Sequence, residues 1–402
     1  MTTNVRNVRK LYLITLDPVH IGTGGYRLGR VDNTIVREVG TRVPKIPGTA
    51  IHGAVRHYAA HRFGKSRCAG QRDHCGKDTC PICYTFGAIK DNRAKAGVVS
   101  ISDARIVLFP VYSMFGPMWI TTPERLKDAG LMDDSPTPED DKAIWSNGLT
   151  TKESINLGWL MVEGKAESFN LNGNIPDQVK NRIVVVSEAL FTHIVNSNLE
   201  VRTSVSINPE TGAAEEGALF TYEAIPRATI LWMDVVVRDF KDNFPSRENW
   251  EKIIQENELP DSPDEWGNLP DKIPEHEHPV EKMFRILGYV DERPNEKKYE
   301  DREDFEKAIK KYWEEIKKSS EVLKAVMKNN NLNWEDPFDI VIFGLQWAEH
   351  LGIGGMGTRG FGRVRCLYCP FSAQKTPSET TQEEQVAPAQ TSDSIPNGGG
   401  EG

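Results

Sequence analysis

Four cysteines within sixteen residues carry the strongest chemical signal in the chain: Cys68, Cys75, Cys80 and Cys83, separated by six, four and two residues, with His74 beside the second. Thiolates are soft ligands, and four of them in a short segment that closes on a CxxC pair match a tetrahedral structural Zn2+ site, which orders the chain without doing chemistry. The segment 64–87 that bears them has no apolar periodicity, so an ion would supply the order that a hydrophobic face does not. Free thiols are the alternative. Cys366 and Cys369 form a second, isolated CxxC beside a strand, where two buried thiols are a simpler reading than a redox pair or another metal site.

A second constellation places one acid among bases. Asp32 lies in a loop flanked by Arg27, Arg30 and Arg37, in a stretch where acidic residues are scarce. Such a carboxylate can brace an arginine, hold Mg2+, or position a ribose 2′-hydroxyl where a bound polyphosphate brings its own charge; residue types alone leave these open. The third constellation is the run from Gly352 to Gly362, which contains a formal GxGxxG at Gly355, Gly357 and Gly360. A dinucleotide fingerprint follows a strand and opens a helix, whereas this run follows a helix and precedes a strand, so the Rossmann reading fails on order. Glycines still let a phosphate chain approach backbone N–H groups, with Arg359 and Arg363 adjacent, and a flexible crossover is the structural alternative.

The elements that must hold these groups follow from periodicity and punctuation. Alternation at Val8, Leu11 and Leu13 predicts a strand, and Thr34–Val36 a short one. Pro47 and Gly48 break the chain before a helix from Thr49 to Phe63, with Thr49 as its N-cap, Ile51, Val55 and Ala59 on the buried face, and Arg56 pointing away from the core. Strands are expected at 98–110 and 155–163, a strand or buried helix at 181–196, a hairpin over 201–223 turning at Asn208–Gly212, and a buried strand at Ile230–Val237. Residues 240–335 are charged and Pro-punctuated, with Phe305, Ile309, Tyr312, Ile316, Leu323 and Met327 at helical spacing, which predicts a helical insertion. A helix over 337–351, the glycine run and a strand near 363–368 follow, and the polar tail 371–402 is expected to be disordered. No internal repeat is present, and the class is α+β.

At 402 residues the chain suits two or three domains or one elaborated domain, and no apolar run approaches the ~18 residues of a membrane span. No secretion signal is read at the N-terminus, so a cytoplasmic, reducing location is expected. The formal net charge of -9 hides an asymmetry: residues 1–110 hold 18 Lys and Arg against 7 Asp and Glu, leaving -20 on the other 292. The basic third could bind a polyanion, or the two parts could neutralise each other across an interface.

Taken in order, HIGTGGYRLGRVDNTIVRE, PKIPGTAIHGAVRHYA, the cysteine segment closing in CPICYTFG, INPETGAAEEGALFTYEAIP and GIGGMGTRGFGRV resemble the RAMP superfamily of CRISPR-associated proteins. The resemblance is closest to the backbone subunit of the Cmr (type III-B) RNA-targeting effector complex, and runs from residue 11 to about 370, with no counterpart for the insertion or the tail. It implies a modified ferredoxin-like or RRM-like palm (1–63, 88–239 and 336–370) with a hairpin thumb (201–223), into which the zinc-binding insertion (64–87) and the helical insertion (240–335) read above from spacing are set. By the same resemblance, copies stack along a CRISPR guide RNA beside other Cmr subunits. The thumb, through Ile207, Leu219 and Phe220, then flips out target nucleotides, which are cut with Mg2+ or another divalent metal. Asp32 matches the family's cleaving aspartate and His20 its first-loop histidine, with Tyr222 and Glu223 joining from the thumb base. Thr49, His52 and Arg56 match the guide-binding helix start, His52 standing where many relatives carry lysine; Arg27, Arg30, Arg37, Gly355, Gly357 and Arg359 complete the RNA-binding set. A metal-dependent endoribonuclease working inside a guide-loaded assembly is therefore expected. The alternatives are a non-catalytic filament subunit, the type III-A (Csm) equivalent, or a guide-processing RAMP.

Overall fold

Strand β1 (Val8–Thr15) buries Leu11 and Leu13 on one face and Tyr12 on the other, so it belongs inside a sheet rather than at its rim. It pairs antiparallel with β14 (Ile230–Val237) on one side and β15 (Val364–Cys366) on the other. The computed structural model describes residues 8–24, 31–70, 73–146, 153–173, 175–257, 272–329 and 331–367. Arg27, Arg30, Cys369 and the tail 371–402 therefore lie outside the described residues.

Among the described residues, eleven strands form one mixed sheet. Its first part runs β15, β1, β14, β6 (Ala104–Val111), each neighbour antiparallel, with the short β2 (Lys45–Ile46) and β5 (Val99–Ile101) attached at β6 and β14. The sheet continues through β7 (Met118–Thr121), β11 (Ile183–Val185), β8 (Lys142–Ser146), β10 (Leu160–Glu167) and β9 (Ser154–Leu157). Here parallel pairs, β7 with β11 and β8 with β10, alternate with antiparallel ones. The stretch 155–163 is thus two strands folded back at Gly158-Trp159 rather than one. The ambiguous stretch 181–196 divides into β11 and helix α5 (Glu188–Ser197), separated by Ser187, whose hydroxyl caps the helix by accepting the Leu190 N–H.

Two helices cover one face of the sheet. Helix α1 (Gly48–Arg62) buries Ile51, Val55 and Ala59, and α9 (Pro337–Leu351) is buried on nearly every side, which its apolar sequence requires. At Gly344 their backbones nearly touch, since a Cβ there would stand 2.3 Å from the Val55 carbonyl oxygen. Helix α1 begins at Gly48 with no side-chain cap, and Thr49 is an exposed residue inside it. The expected cap is supplied instead by Asp103, which accepts the Gly48 N–H at 2.8 Å and pairs with Lys45. Thr34–Val36 is not a strand: Ile35 makes one isolated bridge, to Gly22, and Asn33 and Arg37 on either side bridge to Tyr222 and Pro44.

Between β14 and α9 lie α6 (Arg247–Glu256), α7 (Pro279–Ile286) and α8 (Arg302–Lys328), the last burying Ile309, Tyr312, Ile316, Leu323 and Met327 along one stripe. Trp250 of α6 meets Trp334 at 5.2 Å, and Trp334 meets Phe63 at the end of α1 at 4.9 Å, so these helices share the main core. No helix among the described residues is long and apolar enough to cross a membrane.

Candidate functional site

The hairpin of β12 (Glu200–Ile207) and β13 (Ala214–Ala224) leaves the sheet, and three consecutive residues at its base organise the site. The first is Thr221. Its backbone N–H and its hydroxyl both donate to Asp32 Oδ2 at 2.8 Å, and the Asp32 N–H returns a bond to the Thr221 hydroxyl oxygen at 2.9 Å. The exposed carboxylate is thereby fixed to the hairpin root. The Thr221 backbone bond, followed by the hydroxyl bond, holds its pKa below the usual carboxylate value, because both stabilise the charged form. Asp32 is therefore ionised throughout the physiological range, well suited to accept a hydroxyl proton bond or a cation and weak as a base.

Removing the Thr221 hydroxyl should move that pKa back upward. Thr221→Val is expected to shift the carboxyl titration of Asp32 to higher pH, and with it the pH below which an Asp32-dependent activity fails. A 13C-detected carboxyl titration showing no upward shift would contradict this.

The second residue, Tyr222, sets its ring edge-on to His20, 5.5 Å between centroids. The third, Glu223, accepts a hydrogen bond on its carbonyl oxygen from His20 Nδ1 at 2.6 Å. A carbonyl only accepts, so Nδ1 carries a proton, and in the uncharged tautomer the lone pair is at Nε2. Gly22 leaves that nitrogen room: a Cβ there would sit 3.1 Å from Nε2. The glycine run packs behind the same residue. The Gly355 N–H donates to the His20 carbonyl at 3.0 Å, and Gly354, at φ +95°, has a missing Cβ that would fall 2.6 Å from that oxygen. Gly355 thus supports His20 rather than offering its N–H to a phosphate, while Gly357 and Arg359 lie exposed in a short helical turn.

Glu223 and Arg37, expected respectively to catalyse and to bind RNA, are each other's partners. Arg37 donates to both carboxylate oxygens of Glu223, at 2.9 and 2.7 Å, and through Nε to Asn196 at 3.2 Å; the Ile35 N–H adds a bond to the same carboxylate at 3.3 Å. Glu223 is buried, so no free carboxylate faces substrate. Breaking one side of a buried pair strands the other charge. Glu223→Gln is accordingly expected to destabilise the fold by about 3 kcal/mol, measured by denaturant unfolding; an unchanged midpoint would return Glu223 to the list of catalytic candidates.

The helix residues also depart from expectation. Arg56 turns inward, donating to the carbonyls of Cys68 at 2.8 Å and Phe86 at 3.4 Å, and is buried where it was predicted to face solvent. His52 sets its ring edge against Phe86, and burial, with Arg56 second, pushes its pKa down, so the ring is neutral at pH 7 and carries no charge for a phosphate. Thr49 alone of the three remains exposed, beside the Asp103 carboxylate that already occupies the helix start.

Along the hairpin, Leu219 pairs with Val205 and Thr203 with Thr221. Alternation puts all four on one face, so an apolar surface runs outward from the residue that anchors Asp32. Leu219 and Ile207 are 62% and 61% exposed, and Phe220 projects from the opposite face. Val205, also exposed, is absent from the sequence-based candidates; spacing across the predicted turn does not pair it with Leu219, because the register shifts between Val205 and Ile207.

The four cysteines converge as their spacing predicts. All four are buried, their sulfurs lie within 4.8 Å of one another, and Cys83 Sγ stands 3.6 Å from those of Cys68 and Cys75. A tetrahedron with Zn–S bonds of ~2.3 Å has edges of roughly 3.8 Å, so the cage fits a tetrathiolate ion.

The RAMP superfamily family model matches residues 12–365. The chain is 29% identical over 263 residues, 58% of its own length and 84% of the relative's, to the CRISPR system Cmr endoribonuclease Cmr4 of Pyrococcus furiosus. It is 33% identical over 106 residues, 26% of this chain and 47% of the relative, to the CRISPR system Cms endoribonuclease Csm3 of Enterococcus italicus. Among solved structures, a type III-B Cmr-beta complex bound to cognate target RNA contains a chain similar at TM-score 0.47 and 17% identity, over 58% of this chain and 85% of that one. The chain belongs to the RAMP superfamily and is similar, within it, to Cmr-type proteins.

Proposed function

We propose that this chain is a repeated backbone subunit of an RNA-guided type III-B effector complex, and that it cuts target RNA paired to the guide. One observation carries the reading: an ionised carboxylate, Asp32, is fixed to the root of a protruding hairpin whose exposed apolar face begins at the residue that holds it. An apolar ribbon that replaces base stacking displaces a nucleotide, and the displaced ribose then lies beside the carboxylate. The similarity to Cmr4 and Csm3, each named an endoribonuclease, supports the same reading.

Cleavage by the RNA's own 2′-oxygen requires the hydroxyl proton to leave, the phosphate to be attacked in line, and the 5′-oxygen to depart with a proton. His20 is buried and its Nδ1 proton is committed to a carbonyl, so Nε2 is the nitrogen left for the first transfer when substrate reaches the ring. Asp32 orients the hydroxyl. A divalent ion such as Mg2+, when bound, would stabilise charge on the phosphate, and the single free oxygen of Asp32 suits an ion that completes its shell with phosphate oxygens and water. Among the described residues, no second metal-ligating group joins Asp32 in a cluster of three. Guide contacts fall to Arg27, Arg30, Thr49, Gly357 and Arg359. The order β15, β1, β14, β6 with α1 and α9 on one face supports a ferredoxin-like palm, and the cysteine cage supports a structural zinc site.

Expression beside a CRISPR array tests the assembly. A discrete short RNA with repeat-derived 5′ sequence is expected to copurify with several copies of the chain; purification free of RNA and monomeric would end the reading.

A further inference from the structure

Lys65 and Arg56 are cations buried without carboxylate partners among the described residues, at 2% and 7% exposure. Lys65 donates to the Leu287 carbonyl and lies 4.0 Å from the centre of the Tyr289 ring. Arg56 donates to two carbonyls, and its Nη2 has no hydrogen-bond partner among the described residues. Burying an unpaired cation costs several kcal/mol, so a counter-charge is required. Both cations sit against the cysteine segment: Arg56 donates to the Cys68 carbonyl, the Cys68 N–H donates to the Lys65 carbonyl at 2.7 Å, and the Leu287 carbonyl that accepts from Lys65 adjoins Gly288, which lies against Cys75 Sγ. His74 adds a further buried donor. Its Nδ1 accepts the Ile89 N–H at 2.8 Å, which places the proton on Nε2, and Nε2 has no partner among the described residues.

Four thiolates around a divalent ion carry a net charge of minus two. We propose that Lys65 and Arg56 are the counter-charges of a divalent tetrathiolate centre, which they turn into a neutral unit that can be buried between α1 and the segment after α7. The proposal rests on the metal reading of the cage. Its geometry reaches beyond the cysteines: the Thr79 hydroxyl donates to the Ile286 carbonyl, and a Cβ at Gly288 would stand 2.9 Å from Cys75 Sγ, so residues 286–289 close directly over the cage. A monovalent or trivalent ion would leave the unit charged, and the balance therefore selects a divalent one.

The test is metal binding by the full chain, read by chelator competition with Zn2+ and by the thiolate charge-transfer absorbance of added Co2+. Wild type is expected to hold one ion, and Lys65→Met to weaken its affinity at least about tenfold, with Lys65→Arg restoring it. Should Lys65→Met fail to fold, folding and binding by Lys65→Arg would still assign the role to charge. Unchanged affinity in Lys65→Met, or failure of Lys65→Arg to bind, overturns the counter-charge while leaving the metal site standing. A wild-type chain that takes up neither ion overturns both.

Discussion

Asp32→Asn is expected to abolish cutting of target RNA while the guide-loaded complex assembles normally. The amide is nearly isosteric, and its oxygen still accepts both Thr221 donors that fix the side chain at 2.8 Å, so only the charge is lost. A group that positions the reacting hydroxyl contributes about 10²-fold or more in rate, and a loss of at least that size is expected. Binding should change little, since the residue is exposed and lies outside the core. Gel analysis of target fragments from the reconstituted complex checks it: regularly spaced fragments persisting at wild-type rate would assign Asp32 to bracing alone. The contrast with Glu223 is diagnostic, because substitution there should lower stability and substitution at Asp32 should not.

The second large effect belongs to the cysteine cage. Cys80 stands at the start of the short helix Pro81–Phe86, fully buried, and Cys80→Ser removes one of the four thiols that would hold the ion. Structural zinc contributes on the order of 10 kcal/mol to small domains that depend on it. Here the segment also packs on α1 and on residues 286–289, so a loss of several kcal/mol is expected with the metal content falling to zero. Chelation of the wild-type chain should reproduce the loss. Calorimetry with and without chelator measures it, together with proteolysis across 64–97; metal removal with an unchanged melting temperature would contradict it.

What could be read in the sequence was whatever a local pattern specifies. The hairpin over 201–223, the buried strand at Ile230–Val237, the stripe on α8 and the convergence of the cysteines all follow from spacing within one segment. The sense of individual polar side chains did not. A helix face counted from the apolar residues alone sends Arg56 to solvent, whereas the carbonyls of Cys68 and Phe86 that draw it inward belong to a segment without periodicity. The resemblance puts Glu223 in the site and nearness to Asp32 puts Arg37 there, and neither reading contains the long-range pairing that sets the two charges against each other. Asp103, the actual partner of the α1 start, and Lys65 carry no local signal at all, since each acts through contacts made only when the chain is folded.

The site is also late-forming. His20 rests on Gly355, and Arg363 grips Asp17 across 346 positions of chain. Closing so long a span precedes any gain from the contacts it brings, and such contacts accumulate slowly. On a translating ribosome, the histidine turn can meet the hairpin root early but lacks its Gly355 support until the glycine run has emerged and β15 has docked. A site completed in that order becomes whole only once almost all of the described residues have left the tunnel.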